Sequence, residues 1–165
     1  MQEPYVIMNT GFRNLRDGES AASRSSGSSS GPPSGYQIDI RVPYYRGIFL
    51  SSVHSLELSV DGQVIAPESM SIEVSGRTFS MAQMYEADSV RWGFGDPAHL
   101  RVKRPGGLAP GIHEVKVSMV IRKSYLPASD PEHLYEDFPG LWKDGKYSTF
   151  IEGPTVVTRR MTLVQ

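Results

Sequence analysis

Hydrophobic and polar residues alternate along two neighbouring stretches of the chain, as expected for strands with one buried face. The first stretch has apolar residues at Tyr36, Ile38, Ile40 and Val42 and polar residues at Gln37, Asp39 and Arg41. The second stretch repeats the pattern with Leu56, Leu58 and Val60. A period of two residues predicts a half-buried β-strand. Pro43 and Gly47 lie between the two stretches and predict a turn or bulge there, because proline cannot donate to a strand ladder.

Turn signals and further alternation predict more strands along the chain. Asp61-Gly62 is typical of a two-residue hairpin turn. The clearest strand carries Val115, Val117, Met119 and Ile121 on one side. We expect it to form a hairpin with Leu100–Lys103 through the proline- and glycine-rich loop 105–111. Short strands are also expected at 5–8, 90–94 and 155–164.

A single short helix is predicted at 80–86, with Ser80 as its N-cap and Gln83 three residues later. Many short strands and almost no helix favour an all-β fold. We therefore expect an antiparallel β-sandwich, jelly-roll or immunoglobulin-like, with at most one short helix. One domain should span residues 1–165, and the stretch at about 17–35, rich in serine and glycine, should be a flexible loop.

Composition narrows the possible functions. The chain has 165 residues, a net charge of −1 and no cysteine. The lack of a basic excess disfavours nucleic-acid binding, and no apolar run is long enough to predict a membrane span. Without cysteine there is no disulfide, thiolate nucleophile or thiolate-bound zinc. The N-terminus has no signal-peptide pattern, so we expect a cytoplasmic protein.

Aromatic and arginine residues gather at the interruption between the first two strands. Arg41, Tyr44, Tyr45 and Arg46 lie within six positions. Further aromatic residues expected to be exposed are Trp92, Tyr135, Phe138 and Trp142. Tyrosine, tryptophan and arginine dominate protein interfaces, and the same rings stack on sugars. The pattern predicts an exposed contact surface.

Histidines and acids give weaker signals. His54 and His113 share the parity of apolar neighbours, so we expect them at strand ends or hydrogen-bonded at the edge of the core. His99 has the opposite parity and is predicted to be solvated. The cluster from Asp130 to Asp137, which contains His133, is read as a solvated loop or helical turn rather than a metal site. No nucleophile or phosphate-binding motif occurs.

The chain resembles the small β subunit of bacterial C-glycoside deglycosidases over residues Gly35 to Pro127. The most specific parts are the segment Arg41–Gly47, RVPYYRG, the following Ser51-Ser52-Val53 and the loop Pro105-Gly106-Gly107-Leu108. The insertion at 17–34 departs from the family pattern.

The resemblance implies an accessory subunit of a two-subunit lyase. The larger α subunit would be a TIM barrel similar to sugar-phosphate isomerases, with a divalent metal, expected to be manganese. It would cleave 3-oxo-glycosides whose sugar is joined to an aromatic aglycone through carbon, within a larger heteromer. The present chain is expected to hold no metal, no cofactor and no catalytic residue. Its partner-binding residues are predicted to be Arg41, Tyr44, Tyr45, Arg46, Trp92, Arg104 and Trp142.

Two other functions remain open at this stage. A stand-alone carbohydrate-binding module would use Tyr44, Tyr45 and Trp142 as stacking platforms. An independent β-sandwich hydrolase would use the acids between Asp130 and Asp137 as its catalytic pair.

Overall fold

The computed structural model describes residues 5–17, 31–44, 46–122 and 151–164. The strands are β1 (Arg13–Leu15), β2 (Gly35–Ile40), β3 (Ile48–Phe49), β4 (Val53–Val60), β5 (Gln63–Val64), β6 (Met70–Val74), β7 (Arg77–Ser80), β8 (Arg91–Trp92), β9 (Ala98–Lys103), β10 (Gly111–Arg122) and β11 (Ile151–Leu163). The one α-helix in these ranges is α1 (Met81–Glu86). The flexible loop predicted at about 17–35 lies largely outside the described residues.

The strands form two main sheets and a small third one, and every pairing is antiparallel. A five-stranded sheet has the order β1-β2-β9-β6-β7, and a four-stranded sheet has the order β11-β10-β4-β5. Among the described strands, β3 and β8 pair only with each other. The prediction of an antiparallel β-sandwich with one short helix is confirmed.

The sandwich core is built from the apolar positions that alternate along the strands. The five-stranded sheet contributes Tyr36, Ile38, Ile40, Met70, Ile72, Val74, Ala98, Leu100 and Val102. The four-stranded sheet contributes Leu56, Leu58, Val60, Val115, Val117, Met119, Ile121, Val157, Met161 and Leu163. These residues belong to one continuous cluster. Full burial of one such aliphatic side chain contributes about 1.5–3 kcal/mol, so this shared core holds the two sheets together.

Local turn and cap signals form as the sequence predicts. Asp61 and Gly62 adopt φ values of 51° and 81°, which turns β4 into β5. The Ser80 hydroxyl accepts a hydrogen bond from the Gln83 amide at 3.1 Å, and the Gln83 side chain accepts one from the Ser80 amide at 2.9 Å. The predicted capping box of α1 is therefore confirmed.

The predicted hairpin of Leu100–Lys103 with the strand at Glu114–Ile121 is wrong. Strand β9 lies between β2 and β6, whereas β10 lies between β4 and β11 in the other sheet. The loop between them crosses from one sheet to the other. Alternation specifies which side chains are buried but not which strand is the partner, and in a sandwich consecutive strands often belong to different sheets.

Two further predicted strands are shorter than expected. The run at 5–8 makes only a single bridge, between Ile7 and Ile40. The strand expected at 90–94 is limited to Arg91–Trp92, because the chain turns through Gly95, whose φ is 79°. The predicted last strand is confirmed as β11.

A β-bulge in β4 changes which side chain points inward. Val120 is opposite Ser55, but the next residue, Ile121, is opposite Val53. His54 is therefore the extra residue in β4, and it is exposed although it shares the parity of Leu56. It lies at the strand end, as predicted.

Candidate partner-contact surface

Two aromatic residues of the predicted contact surface lie in the core. Tyr44 is 5% exposed and Trp92 is 0% exposed, so the prediction that their rings are exposed is wrong. The indole Nε1 of Trp92 donates to the Asp96 carbonyl at 3.0 Å, which satisfies its polar atom. Both rings belong to the continuous core cluster, together with Ile48 of the short strand β3. Sequence periodicity does not report such packing. The Tyr44 ring is therefore not exposed in this structure for the stacking on sugars that the sequence suggested.

The remaining predicted contact residues are three arginines that are exposed or half-buried and two aromatic residues outside the described ranges. Arg46 and Arg104 are exposed, and Arg41 is half-buried. Tyr45 and Trp142 lie outside the described residues, as does the acidic cluster between Asp130 and Asp137. Their predicted roles in partner contact, sugar stacking or hydrolysis remain predictions.

The corner formed by β3 and β8 exposes one aromatic ring that the sequence pattern did not single out. Phe49 is 39% exposed, and the Arg91 guanidinium carbon lies 6.0 Å from the centre of its ring. Gly47 permits the close approach of these strands, since a Cβ there would lie 3.0 Å from the Trp92 carbonyl oxygen. The corner therefore presents Phe49 and Arg91 to solvent beside the buried Trp92.

Polar side chains line the outer face of the five-stranded sheet, the face that points away from the sandwich core. In β2 these are Gln37 and Asp39, which alternate with the buried isoleucines. Asp39 is opposite His99, which in turn is opposite Glu73, and Gln37 is opposite Arg101. We call these five residues the outer polar network.

The network is closely hydrogen-bonded. Oδ1 of Asp39 lies 2.6 Å from Nδ1 of His99 and accepts a hydrogen bond from the Gln37 amide at 2.9 Å. Arg101 forms a salt bridge with Glu73, and its Nε lies 3.5 Å from Oε1 of Gln37. Gln37 and Asp39 are only 2% and 6% exposed. A buried carboxylate needs hydrogen bonds in place of its water, and Gln37 and His99 supply them to Asp39.

His99 differs from the prediction that it is solvated. Its side chain is 21% exposed, and its Nδ1 is engaged by Asp39. Within the described part of the chain, its other ring nitrogen, Nε2, has no hydrogen-bond partner. A residue that alternates with the core residues of its strand lies on the outer face of the sheet, but side chains on that face are not necessarily exposed to solvent. The sequence signal that could have found this pair is the matched polar alternation of β2 and β9, which is informative only once the strand pairing is known.

The segment before β1 passes directly over Asp39. A Cβ on Gly11 would lie 2.0 Å from Oδ2 of Asp39, and the φ of Gly11 is 87°. The Met8 amide donates to the Asp39 carbonyl at 2.9 Å. Gly11 is therefore required both by its backbone conformation and by the space that the carboxylate occupies.

Arg41 continues the polar side of β2 and has an unsatisfied atom. Its backbone amide donates to the Val6 carbonyl at 2.8 Å. Its side-chain Nε is buried and has no hydrogen-bond partner among the described residues. Buried polar atoms are nearly always paired, so this nitrogen indicates a missing acceptor.

His113 is hydrogen-bonded at the edge of the core, as the sequence predicts. Its Nδ1 lies 2.7 Å from Oδ2 of Asp61, and its Nε2 lies 2.6 Å from the Ala109 carbonyl oxygen. The Ala109 carbonyl and the Asp61 carboxylate raise the pKa of His113. The hydrogen bond from His113, followed by that from the Glu114 amide, lowers the pKa of Asp61. Both ring nitrogens are engaged, so this pair joins the β4–β5 turn to the start of β10.

Metal-binding clusters and membrane-spanning helices are absent from the ranges that the structure describes. These ranges contain no group of three or more His, Cys, Asp or Glu residues placed to hold a metal ion. They also contain no helix long and apolar enough to cross a membrane.

Comparison with known proteins places the chain beside one family. The family model of the C-glycoside deglycosidase beta subunit matches residues 3–125. A C-glycoside deglycosidase beta subunit from Eubacterium cellulosolvens is 35% identical over 125 residues, which cover 76% of this chain and 78% of that protein. A 3'-dehydrocarminate deglycosidase beta subunit from Microbacterium sp is 33% identical over 97 residues, 58% of this chain and 72% of that protein. A C-glycoside deglycosidase beta subunit from Arthrobacter globiformis is 33% identical, over 57% of this chain and 72% of that protein. The region matched by the family model contains the whole outer polar network and the corner.

Proposed function

Since the chain belongs to the family of C-glycoside deglycosidase beta subunits, we propose that it is the accessory subunit of a two-subunit carbon–carbon lyase. Its relatives are named beta subunits, which supports the existence of a partner subunit for this chain. By family resemblance, that partner is a TIM barrel similar to sugar-phosphate isomerases. We place the complex in the cytoplasm, since a chain without cysteine is compatible with reducing conditions.

The proposed substrate is a 3-oxo-glycoside whose sugar is joined to its aromatic aglycone through a carbon–carbon bond. The carbonyl at C3 makes the proton on C2 acidic, and a base removes that proton. The bond from C1 to the aglycone then breaks by elimination: a C1–C2 double bond forms in the sugar, and the aglycone carbon leaves with the electron pair and takes up a proton. The name of one relative, a 3'-dehydrocarminate deglycosidase beta subunit, supports a substrate whose sugar is oxidised at C3. The α subunit would hold the divalent metal, expected to be manganese, which would stabilise developing negative charge.

The role of this chain in the complex is to bind and support the α subunit. The observation that carries this proposal is the buried, unpaired Nε of Arg41. A carboxylate on the partner would supply the missing acceptor and would pair with the guanidinium charge. Arg41 lies in the family-specific segment and directly follows β2, whose outer face carries Gln37 and Asp39.

The outer polar network suits a contact surface because its side chains are already ordered. Asp39 and Gln37 fix His99 and Arg101, so little side-chain freedom is lost when a partner covers them. Nε2 of His99 remains available for a hydrogen bond across the interface. Phe49 and Arg91 at the corner add an apolar ring and a positive charge at the rim.

Co-expression with the isomerase-like partner tests the proposal. The two chains should elute together in size-exclusion chromatography, and cleavage of a 3-oxo-C-glucoside should require both. Arg41→Gln should weaken association at least tenfold, because loss of one partner of a buried charged pair costs about 2–5 kcal/mol. The matched control is Arg160→Gln, an exposed arginine in β11 of the opposite sheet, which should leave association unchanged.

Two results would contradict this function. Cleavage of the 3-oxo-C-glucoside by the purified chain alone would show that it is not an accessory subunit. Equal association of the Arg41→Gln and Arg160→Gln variants would exclude the face around Arg41 as the contact surface.

A further inference from the structure

An open cleft separates the edge of the four-stranded sheet from the end of β9. It has a volume of about 450 Å³. One wall is formed by β5 and the following turn, and the other by the last residues of β9. The lining residues used below are Tyr36, Gln63, Val64, Val102, Lys103 and Arg104.

Tyr36 lines this cleft with a polar atom that has no partner. Its side chain is 0% exposed, and its hydroxyl makes no hydrogen bond within the described residues. Burial raises the pKa of Tyr36 to about 12, against the opposing effect of the Arg104 charge. The hydroxyl is therefore neutral at physiological pH and can donate a hydrogen bond. A buried hydroxyl without an acceptor is costly, and a ligand atom would remove that cost.

Two positive charges lie beside this donor. Lys103 and Arg104 are exposed, and neither side chain has a hydrogen bond or salt bridge to another described residue. Arg104 lines the same cleft as Tyr36, and the charges of Arg104 and Asp61 shift the pKa of the Tyr36 hydroxyl in opposite directions. A neutral O–H donor beside two unpaired cations favours an anionic oxygen.

The rest of the lining is apolar enough to hold the body of such a ligand. Val64 is 62% exposed, a high value for a valine at the wall of a cleft. Val102, at the end of β9, also lines the cleft but is only 3% exposed, and the side chain of Gln63 adds one amide. Apolar walls with a few convergent polar groups are typical of sites for small organic molecules.

We propose that this cleft, which we call the Tyr36 cleft, binds a small aromatic carboxylate. The carboxylate accepts hydrogen bonds from Tyr36 and Arg104, and the ring packs between Val64 and Val102. The site lies at the end of β9 and of the β4–β5 hairpin, and it takes no residue from the outer polar network. Its existence does not depend on the proposed accessory role.

Titration of the full-length chain with benzoate tests the proposal. Binding should appear by calorimetry and as amide shifts in NMR spectra at residues 36, 63–66 and 102–104. Benzamide has nearly the same shape without the charge and should bind at least about tenfold more weakly. Raising the salt concentration should weaken benzoate binding more than benzamide binding.

Two substitutions separate a built site from general attraction to positive charge. Tyr36→Phe removes only the hydroxyl and should weaken benzoate binding about tenfold. Arg104→Gln should have a similar effect, whereas Arg91→Gln, an exposed arginine at the corner, should have none.

The proposal is overturned if benzoate shifts no resonance of the cleft, or if benzamide binds as well as benzoate. It is equally overturned if Tyr36→Phe binds benzoate with wild-type affinity. If the chain binds benzoate but forms no heteromer with the isomerase-like partner, only the accessory role is contradicted. The two proposals can therefore be tested independently.

Discussion

Asp39 and His99 face each other across β2 and β9, with Oδ1 and Nδ1 2.6 Å apart, on the sheet face that points away from the sandwich core. Gln37 supports the same carboxylate oxygen from the preceding outward position of β2. The pair is thus part of a buried polar layer outside the apolar core. Such a layer must be complete to be stable, because each member depends on the others for hydrogen bonds.

Asp39→Asn should destabilise the chain by about 2–3 kcal/mol, because it removes the carboxylate to which both His99 and Gln37 are hydrogen-bonded. Urea unfolding followed by circular dichroism measures the free energy of unfolding. Asp88→Asn, at an exposed turn, is the control and should change it by less than about 0.5 kcal/mol. Equal effects of the two substitutions would mean that the outer polar network contributes nothing to stability.

Gly11→Ala should be more harmful than an alanine at a second glycine with similar backbone. Both Gly11 and Gly76 have positive φ values, 87° and 77°, but only at Gly11 would an added Cβ meet another atom, Oδ2 of Asp39 at 2.0 Å. Gly76→Ala should cost about 1 kcal/mol from backbone strain alone, and Gly11→Ala at least about 2 kcal/mol. The difference between the two in thermal or urea unfolding reports the contact with Asp39. Matching values would show that the N-terminal segment does not press on that carboxylate.

Tyr36→Phe should raise the free energy of unfolding by about 1 kcal/mol, because the lost hydroxyl is buried without a partner. Tyr85→Phe provides the comparison, since the Tyr85 hydroxyl accepts a hydrogen bond from the Leu56 amide at 3.3 Å. It should lower stability by about 0.5–1 kcal/mol. A destabilised Tyr36→Phe variant would reveal a hydrogen bond that the structure does not contain.

The pair of His113 and Asp61 should make stability depend on pH. A histidine pKa raised in the folded state adds stability that is complete below the unfolded pKa of about 6.5 and is lost as pH rises through the folded pKa. The lowered pKa of Asp61 adds stability above its usual 3.8, which is lost as pH falls through the folded value. His113→Gln should therefore cost most between about pH 4 and 6.5, by about 1 kcal/mol or less, and least near pH 9.

His54→Gln is the control of opposite sign. Partial desolvation of the His54 ring, which lies at the surface, and then the charge of Arg122 lower the pKa of His54, so protonation of this residue favours the unfolded chain. Its removal should increase the free energy of unfolding at acid pH and leave it unchanged at pH 9. Parallel pH profiles for the two histidine variants, measured by urea unfolding, would contradict both assignments.

Local features of this fold could be predicted from sequence because their causes are local. The alternation in β10, the turn at Asp61-Gly62 and the Ser80 cap each depend on residues a few positions apart. The pairing of β9 and the burial of Trp92 depend on residues far away along the chain, which alternation does not specify. The bulge at His54 turns that side chain outward although its parity predicts an inward one. The sequence of β4 alone does not show this, because the bulge is defined by the register with β10.

The candidate surface was located in part. The RVPYYRG segment drew attention to Arg41, which has the unpaired buried Nε, but also to Tyr44, which is core. The outer polar network was missed, because a polar residue that alternates with isoleucine suggests solvent until the opposite strand is known. Only the register of β2 with β9 brings Asp39 to His99.

The loop between β9 and β10 carries the chain from one sheet to the other, so the strands of the two sheets interleave along the sequence. Each sheet closes through distant pairs, such as Ile38 with Leu100 and Met119 with Leu56. Contacts between residues so far apart form slowly, since a long stretch of chain must be ordered first. All strands of the five-stranded sheet precede β10, whereas the four-stranded sheet needs both β10 and β11. During synthesis we therefore expect the four-stranded sheet, and with it the shared core, to be completed last.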